Sequence, residues 1–367
     1  MPVEFIGMIF TQNQSEAHAS DGPVIDPGFT ARFALAHEAA GFDRVLVGYG
    51  TFFPDGFIVA TWALAATERL GVLLAHRPGF VAPTVAARKF ATLDQFSGGR
   101  LALHTITGGS DEEQARDGDY LNKHDRYRRT DEYLQVLRLA WTSREPFDFD
   151  GEFYKLTGAA SIVHPHQDPY PPIFFGGSSD EAAEVAAKHA DVYAQWGEPL
   201  AEASAQIKRV KEAAASYGRA PGVSLSLRPI LAATDDEAWE RAYAILDRIQ
   251  NAGGSNRRPR RTGPPQNAGS IRLLEAAKRG DVLDRCLFMP LATATGAAGN
   301  STALVGSVET VAQAMLDYYD IGVTTFLIRG YDPFEDVEGY GELATRVREL
   351  VAERDQQLAA TTPGRNS

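Results

Sequence analysis

Short apolar runs rich in Val, Ile, Leu and Phe alternate along the chain with segments whose apolar residues recur at helical spacing. Eight runs read as strands: Glu4–Phe10, Arg44–Gly48, Leu70–His76, Leu101–Thr107, Pro172–Phe175, Asp191–Gln195, Val223–Leu231 and Thr324–Ile328. Several are nearly unbroken apolar stretches, the pattern of parallel strands covered on both faces. Helical stripes lie between them. Ala86, Phe90 and Leu93 fall at i, i+4 and i+7, as do Leu343, Val347 and Leu350. Val308, Val311, Ala312, Met315 and Tyr319 form a full stripe behind Ser307, whose hydroxyl suits an N-cap. Eight strand–helix repeats with no break in composition predict an α/β fold, a (β/α)8 TIM barrel in one domain over residues 1–353, rather than a two-domain doubly wound sheet.

Three segments depart from the simple repeat. Residues 108–129 read as a polar loop after the fourth strand, and 146–172 as a short hairpin (FDFDGEFYKL) followed by a Pro-rich connection. The third, 251–300, holds GGSNRRPRRTGPPQNAG and LATATGAAGN, the composition of a lid or a disordered loop. Insertions that follow barrel strands sit at the C-terminal face, where barrel active sites lie. Residues 354–367 read as a flexible tail, frayed from about Gln356.

Composition narrows the class. With 367 residues, 44% of them hydrophobic, the chain can bury a large core. A net charge of −12 argues against a nucleic-acid partner while leaving room for a local basic pocket around a small anion. The single cysteine, Cys286, permits no internal disulfide and fits a reducing compartment. The start MPVEFIGMIF lacks a basic region ahead of a long apolar run, and no stretch nears the ~18 apolar residues of a membrane span. A cytoplasmic protein with no membrane contact is expected.

Candidate chemistry gathers at strand ends. In FFGGSSDEA an apolar strand enters Gly176-Gly177, then Ser178-Ser179, then a helix with Glu181 placed to complete a capping box. Glycines admit a close ligand, and a helix N-terminus offers N–H groups to an anion such as phosphate. A tight turn with an ordinary cap fits equally well. His104, Thr105 and Thr107 end the fourth strand beside Gly108-Gly109, facing the predicted mouth; a hydrogen-bonded structural His is the alternative. Arg228, Arg329 and Tyr331 end later strands, and buried arginines need an anion or a carboxylate, so either a ligand or one of the 48 acidic residues is their partner. Trp196 offers an aromatic wall. His164 and His166 lack further ligands at metal spacing, so no metal is predicted. The run 257–261 (RRPRR), in a window 251–290 with eight basic and three acidic residues, either screens an anionic pocket or is simply solvated.

The runs RPGFVAPTVAARKFATLDQFSGGRLALHTITGG, DRYRRTDEYLQVLRLAW, PPIFFGGSSDEAAEVAAKHADVYAQWGEP and STALVGSVETVAQAMLDYYDIGVTTFLIRGYD resemble the bacterial-luciferase-like flavin monooxygenases, and among them the alkanesulfonate branch. The resemblance covers most of residues 1–352 and implies a barrel with insertions, usually oligomeric (dimer or tetramer). It implies reduced FMN, supplied by a separate NAD(P)H-dependent flavin reductase, reacting with O2 as co-substrate. It places His104 and Thr107 beside the flavin ring, and Tyr127, Ser178 and Ser179 at the flavin phosphate. Where the alkanesulfonate enzymes carry a Cys after the second strand this chain has GTFFPDG, with Phe53; their Arg-x-His on the seventh strand is Ser226-Leu227-Arg228; the Arg of their Arg-Gly-Gly-Ala-Gly before the TALVG motif is Ala297. Tyr331 is retained. The function implied is cleavage of the C–S bond of an alkane- or sugar sulfonate to an aldehyde-type product and sulfite, with Arg228 and Arg329 holding the sulfonate, Tyr331 or His104 handling a proton, and Trp196 and Phe53 shaping the substrate wall. A luciferase-like enzyme for a non-sulfonate substrate, a deazaflavin-dependent oxidoreductase and a non-catalytic flavin-binding barrel are the alternatives.

Overall fold

In the computed structural model, which describes residues 3–19, 22–251, 265 and 267–361, the eight apolar runs pair edge to edge until the last meets the first. The barrel strands are β1 (Glu4–Ile9), β2 (Arg44–Val47), β3 (Gly71–His76), β4 (Leu101–Thr105), β5 (Ile173–Gly176), β6 (Val192–Trp196), β7 (Gly222–Leu231) and β8 (Thr325–Ile328). All neighbours are parallel, and the ring closes where Glu4 of β1 registers with Thr325 of β8. Each predicted strand agrees with an observed one to within two residues at either end.

Inside the ring Ile6, Leu73, Ala102, Phe174 and Leu327 form a buried plug. A large apolar side chain buried this way contributes roughly 1.5–3 kcal/mol, and the plug leaves only the strands' C-terminal ends open. Outside, the helices lay their stripes on the strands. Helix Pro83–Ser97 buries Ala86, Phe90 and Leu93, opens with Pro83 and stops at Gly98, whose φ of 65° suits glycine. Helix Val308–Asp320 starts where predicted, with Ser307 Oγ accepting from Thr310 N.

Three departures matter for the site. The predicted polar loop at 108–129 is largely helical: Ser110 caps Asp111–Arg116, and Asn122 caps Lys123–Thr142. The first of these helices is short, with Ala115 its only apolar residue, so no apolar stripe announces it. The strand Ala303–Gly306 escaped the sequence reading because it follows directly on a Gly/Ala/Thr-rich run. It pairs not with the ring but with the far half of β7, Arg228–Leu231, which splays from the barrel. The described part of the third insertion is ordered structure: helix Ala268–Ala277, the strand pair Val282–Leu283 and Leu287–Phe288, and helix Pro290–Ala294. The basic run 257–261 lies outside the described residues. The predicted hairpin forms between Phe147–Asp150 and Lys155–Ala159. The last helix, Val337–Thr361, continues past Gln356, where the sequence suggested fraying. No helix among the described residues is long and apolar enough to cross a membrane.

Candidate active site

A cavity of about 550 Å³ opens over the C-terminal ends of the strands, floored by Met8, Leu46, Leu73, Ala75 and Leu327. Its size falls within the ~300–1,000 Å³ of small-molecule sites. Of the residues singled out from the sequence, Phe53, His104, Thr107, Tyr127, Ser178, Ser179, Trp196 and Arg329 all line it. They come from six separate places along the chain, brought together by barrel closure.

One side of the cavity gathers a glycine turn, a helix N-terminus and two basic residues. β5 ends at Gly176, and Gly177 turns the chain with φ 152°, a backbone that favours glycine. A Cβ on Gly177 would lie 2.7 Å from Cβ of Ala182 and 3.4 Å from the Tyr127 hydroxyl, so only a hydrogen fits between turn, helix and phenol. Ser179, not Ser178, is the N-cap of helix Asp180–His189, its Oγ accepting from Ala182 N. Glu181 therefore sits one position short of a capping box; hydrogen bonds to its own N–H and to Ser179 hold its carboxyl below the usual range. The helix N-terminus supplies oriented N–H donors, and Lys123 and Arg126 bring positive charge to the same wall. Arg126 is buried, donating 2.6 Å to the Leu121 carbonyl and pairing with Asp111 at 2.8 Å.

The insertion braces this turn. Arg272, on helix Ala268–Ala277, donates to the Ser178 carbonyl at 3.0 Å while its Nε and Nη2 grip the buried carboxylate of Glu198. Gly269 of that helix lies under Trp196, where a Cβ would approach the indole to 2.9 Å.

The floor beside this turn carries His104, whose strand pairs with β5. Gly176 lets its ring approach, since a Cβ there would sit 3.0 Å from Cε1. The Nδ1 atom is buried with no partner among the described residues. Burial lowers the imidazole to about 4, so at neutral pH the ring is uncharged. Phe53 packs against Gly48 and Gly50, narrowing the cavity on the β2 side.

Arg228 and Tyr331 do not line the cavity. Arg228 is wholly buried behind its wall, donating through Nη2 to Glu16 Oε2 and to the Gly330 carbonyl, both at 3.0 Å. Its guanidinium stacks 3.4 Å from the Tyr331 ring centroid. Tyr331 is 1% exposed, burial pushes its phenol up to about 12, and its hydroxyl donates 3.2 Å to the Ser301 carbonyl. Both side chains thus lie behind the cavity wall, and of the two partners open to Arg228 in the sequence, an internal carboxylate is the one observed. Arg329 bonds the other oxygen of Glu16 at 3.0 Å and the Asn300 carbonyl at 3.3 Å, and does face the cavity.

Glu16, Arg77 and Gln195 also line the cavity and were not foreseen. Glu16 stands in the polar segment directly after β1. Arg77 follows the apolar β3 and carried the same signal as the other strand-end arginines; it pairs with Glu113 at 2.8 Å beneath Tyr49. Gln195 is 6% exposed, with both amide atoms unpartnered among the described residues. His164, weighed for metal, instead bonds the Trp141 carbonyl at 2.9 Å.

Solved structures share this architecture. The chain is similar to EDTA monooxygenase from Chelativorans sp. BNC1 (16% identity, 96% of this chain and 94% of that one, TM-score 0.76). It is similar to riboflavin lyase bound to modified FMN and riboflavin (18% identity, 97% and 92%, TM-score 0.75). An F420-dependent secondary alcohol dehydrogenase also matches (17% identity, 95% and 99%, TM-score 0.68). Such identities speak for the fold alone. The family model described as luciferase-like monooxygenase matches residues 3–325, most of the chain and every barrel strand up to the first residue of β8; with the closed barrel and the cavity at its mouth, the chain belongs to the luciferase-like monooxygenase family.

Proposed function

We propose that the protein is the oxygenase of a two-component system, taking reduced FMN from a separate NAD(P)H-dependent flavin reductase and using O2 to oxidise a small organic anion. The substrate class suggested by the sequence is an organosulfonate, cleaved at its C–S bond to an aldehyde-type product and sulfite. The observation that carries the cofactor reading is the joint presence, in one cavity, of a glycine–serine anion cradle and a neutral His104 on an otherwise apolar floor. The residues fit FMN: Ser178, Ser179, Tyr127 and Lys123 would hold its phosphate, and His104 and Thr107 would border its ring. Reduced FMN supplies the O2-activating chemistry when bound.

The chain's own residues do the rest. Met8, Leu46 and Leu73 exclude water from the floor. Neutral His104 can accept or donate one hydrogen bond at Nε2 and retains the capacity to take a proton there. Arg329 presents positive charge to an anionic substrate group; it cannot serve as a base. Trp196 and Phe53 bound the space left for substrate.

The test combines the purified protein with a flavin reductase, NADH, FMN and air, and measures sulfite released from a panel of alkyl and sugar sulfonates. Sulfite that requires the protein, O2 and reduced FMN is the expected result. Reduced-FMN binding without sulfite from any sulfonate would keep the cofactor and discard the substrate. Binding of a reduced deazaflavin in place of reduced FMN would discard both, an outcome made relevant by the F420-dependent relative.

A further inference from the structure

The cluster behind the substrate side of the cavity contains two guanidiniums and one carboxylate. Glu16 bridges them, Oε2 to Arg228 Nη2 and Oε1 to Arg329 Nη2, each at 3.0 Å. Its side chain is 31% exposed and reaches the cavity, whereas Arg228 is fully buried. Among the described residues Arg228 keeps Nε and Nη1 buried without partners, and both bonds of Arg329 run through Nη2. One carboxylate thus serves two cations, and one positive charge is left over among the described residues. The Tyr331 ring, stacked on Arg228, adds no formal charge.

We infer that Glu16 is a specificity-determining residue, an internal competitor for the acidic group of the substrate. Arg329 faces the cavity and Arg228 lies buried behind it; the joint positive charge of the two suits an oxyanion, and the chain places its own carboxylate there. A carboxylate or sulfonate entering from the cavity contends with Glu16 for Arg329 and for the field of both guanidiniums, and is repelled by Glu16 at close range. Small organic anions therefore bind weakly at this end unless their remaining contacts are good enough to displace Glu16. This rests on reading the cavity as the substrate site, although its test needs neither flavin nor turnover.

The probe is methanesulfonate, titrated calorimetrically into the wild-type protein, Glu16→Gln and Glu16→Asp at constant ionic strength set with chloride. Glu16→Gln removes the competing charge and is expected to bind methanesulfonate at least tenfold more tightly than wild type. Glu16→Asp keeps the charge and is expected to stay as weak as wild type. Adding Arg228→Gln to Glu16→Gln should abolish the gain. Equal affinity in wild type and Glu16→Gln, or a gain that survives loss of Arg228, overturns the inference. Should Glu16→Gln fail to fold alone, refolding by methanesulfonate but not by chloride at equal ionic strength supports it, and failure to refold with either overturns it. Failure of the sulfonate assay with success here would reject the substrate proposal and keep the role of Glu16. The reverse pair would do the opposite.

Discussion

At the Gly177–Ser179 turn, the polar groups facing the cavity come from adjacent residues, and the helix behind them leaves N–H donors for a ligand. At the Glu16–Arg228–Arg329 cluster, the charged groups come from segments 212 and 313 positions apart and bond one another. The first region stays open because water can satisfy exposed N–H groups until a ligand arrives. The second cannot stay open, because a buried guanidinium without a counter-ion is costly, so the fold supplies Glu16. Open donors mark a site held ready for a ligand, while internally paired charges mark one where a ligand must compete.

The largest expected effect breaks the paired region. Arg228→Ala removes the buried cation, leaves an empty space beside Tyr331 and takes from Glu16 one of its two partners. Breaking a buried pair costs about 3–5 kcal/mol; since Arg329 still holds Glu16, a loss near ~3 kcal/mol is expected in urea unfolding, with reduced-FMN affinity little changed. A loss as small as that of a surface substitution would mean that the cluster does not support the fold.

The next effect breaks the open region. In Gly177→Ala the added methyl collides with Ala182 at 2.7 Å in a backbone conformation that L residues rarely adopt. The turn must move, and the cradle with it. Reduced-FMN affinity, measured by anaerobic titration, is expected to fall about tenfold or more, equivalent to ~1.4 kcal/mol. Ser179→Ala is milder: it removes one cap at about 1 kcal/mol of stability and leaves the backbone donors in place. If Ser179→Ala weakened flavin binding as much as Gly177→Ala, the serine hydroxyl rather than the turn would be the main contact.

The same contrast explains what the sequence made legible. The barrel was readable because each strand is a local apolar run, and the cradle because Gly176, Gly177, Ser178 and Ser179 are consecutive. Only the placement of the cap was off by one. The sequence posed the alternatives for Arg228 but could not choose between them: Glu16 lies far upstream in an unremarkable polar stretch, and only closure of β1 beside β8, itself beside β7, brings it within 3.0 Å. The short strand Ala303–Gly306 was missed for a related reason, since it pairs with a splayed extension of β7 that no periodicity announces. Arg77 was an oversight of a different kind, because its strand-end signal was present.

The smallest effect at neutral pH, and the finest probe of the cavity floor, concerns His104. Its folded value of about 4 lies below the ordinary 6.5, so between those two values the unfolded chain binds a proton that the folded His104 declines. Stability from this group is therefore complete above pH 6.5 and is lost as pH falls through about 4, where the folded ring finally protonates. His37 and His76, lowered to about 4 and about 3, impose the same trend and persist in a variant. His104→Asn should thus leave a residual acid-side slope but flatten it, the mutant gaining on wild type as pH drops from 6.5 to 4 by less than ~1.4 kcal/mol per pH unit. Urea midpoints across that range give the comparison directly. A difference that stays constant from pH 7 to 4.5 would mean that the imidazole titrates near its ordinary value, exposed rather than sealed in the floor. The predicted outcome keeps the ring neutral above pH 6, so that the proposed binding of reduced FMN should show no limb attributable to His104 there.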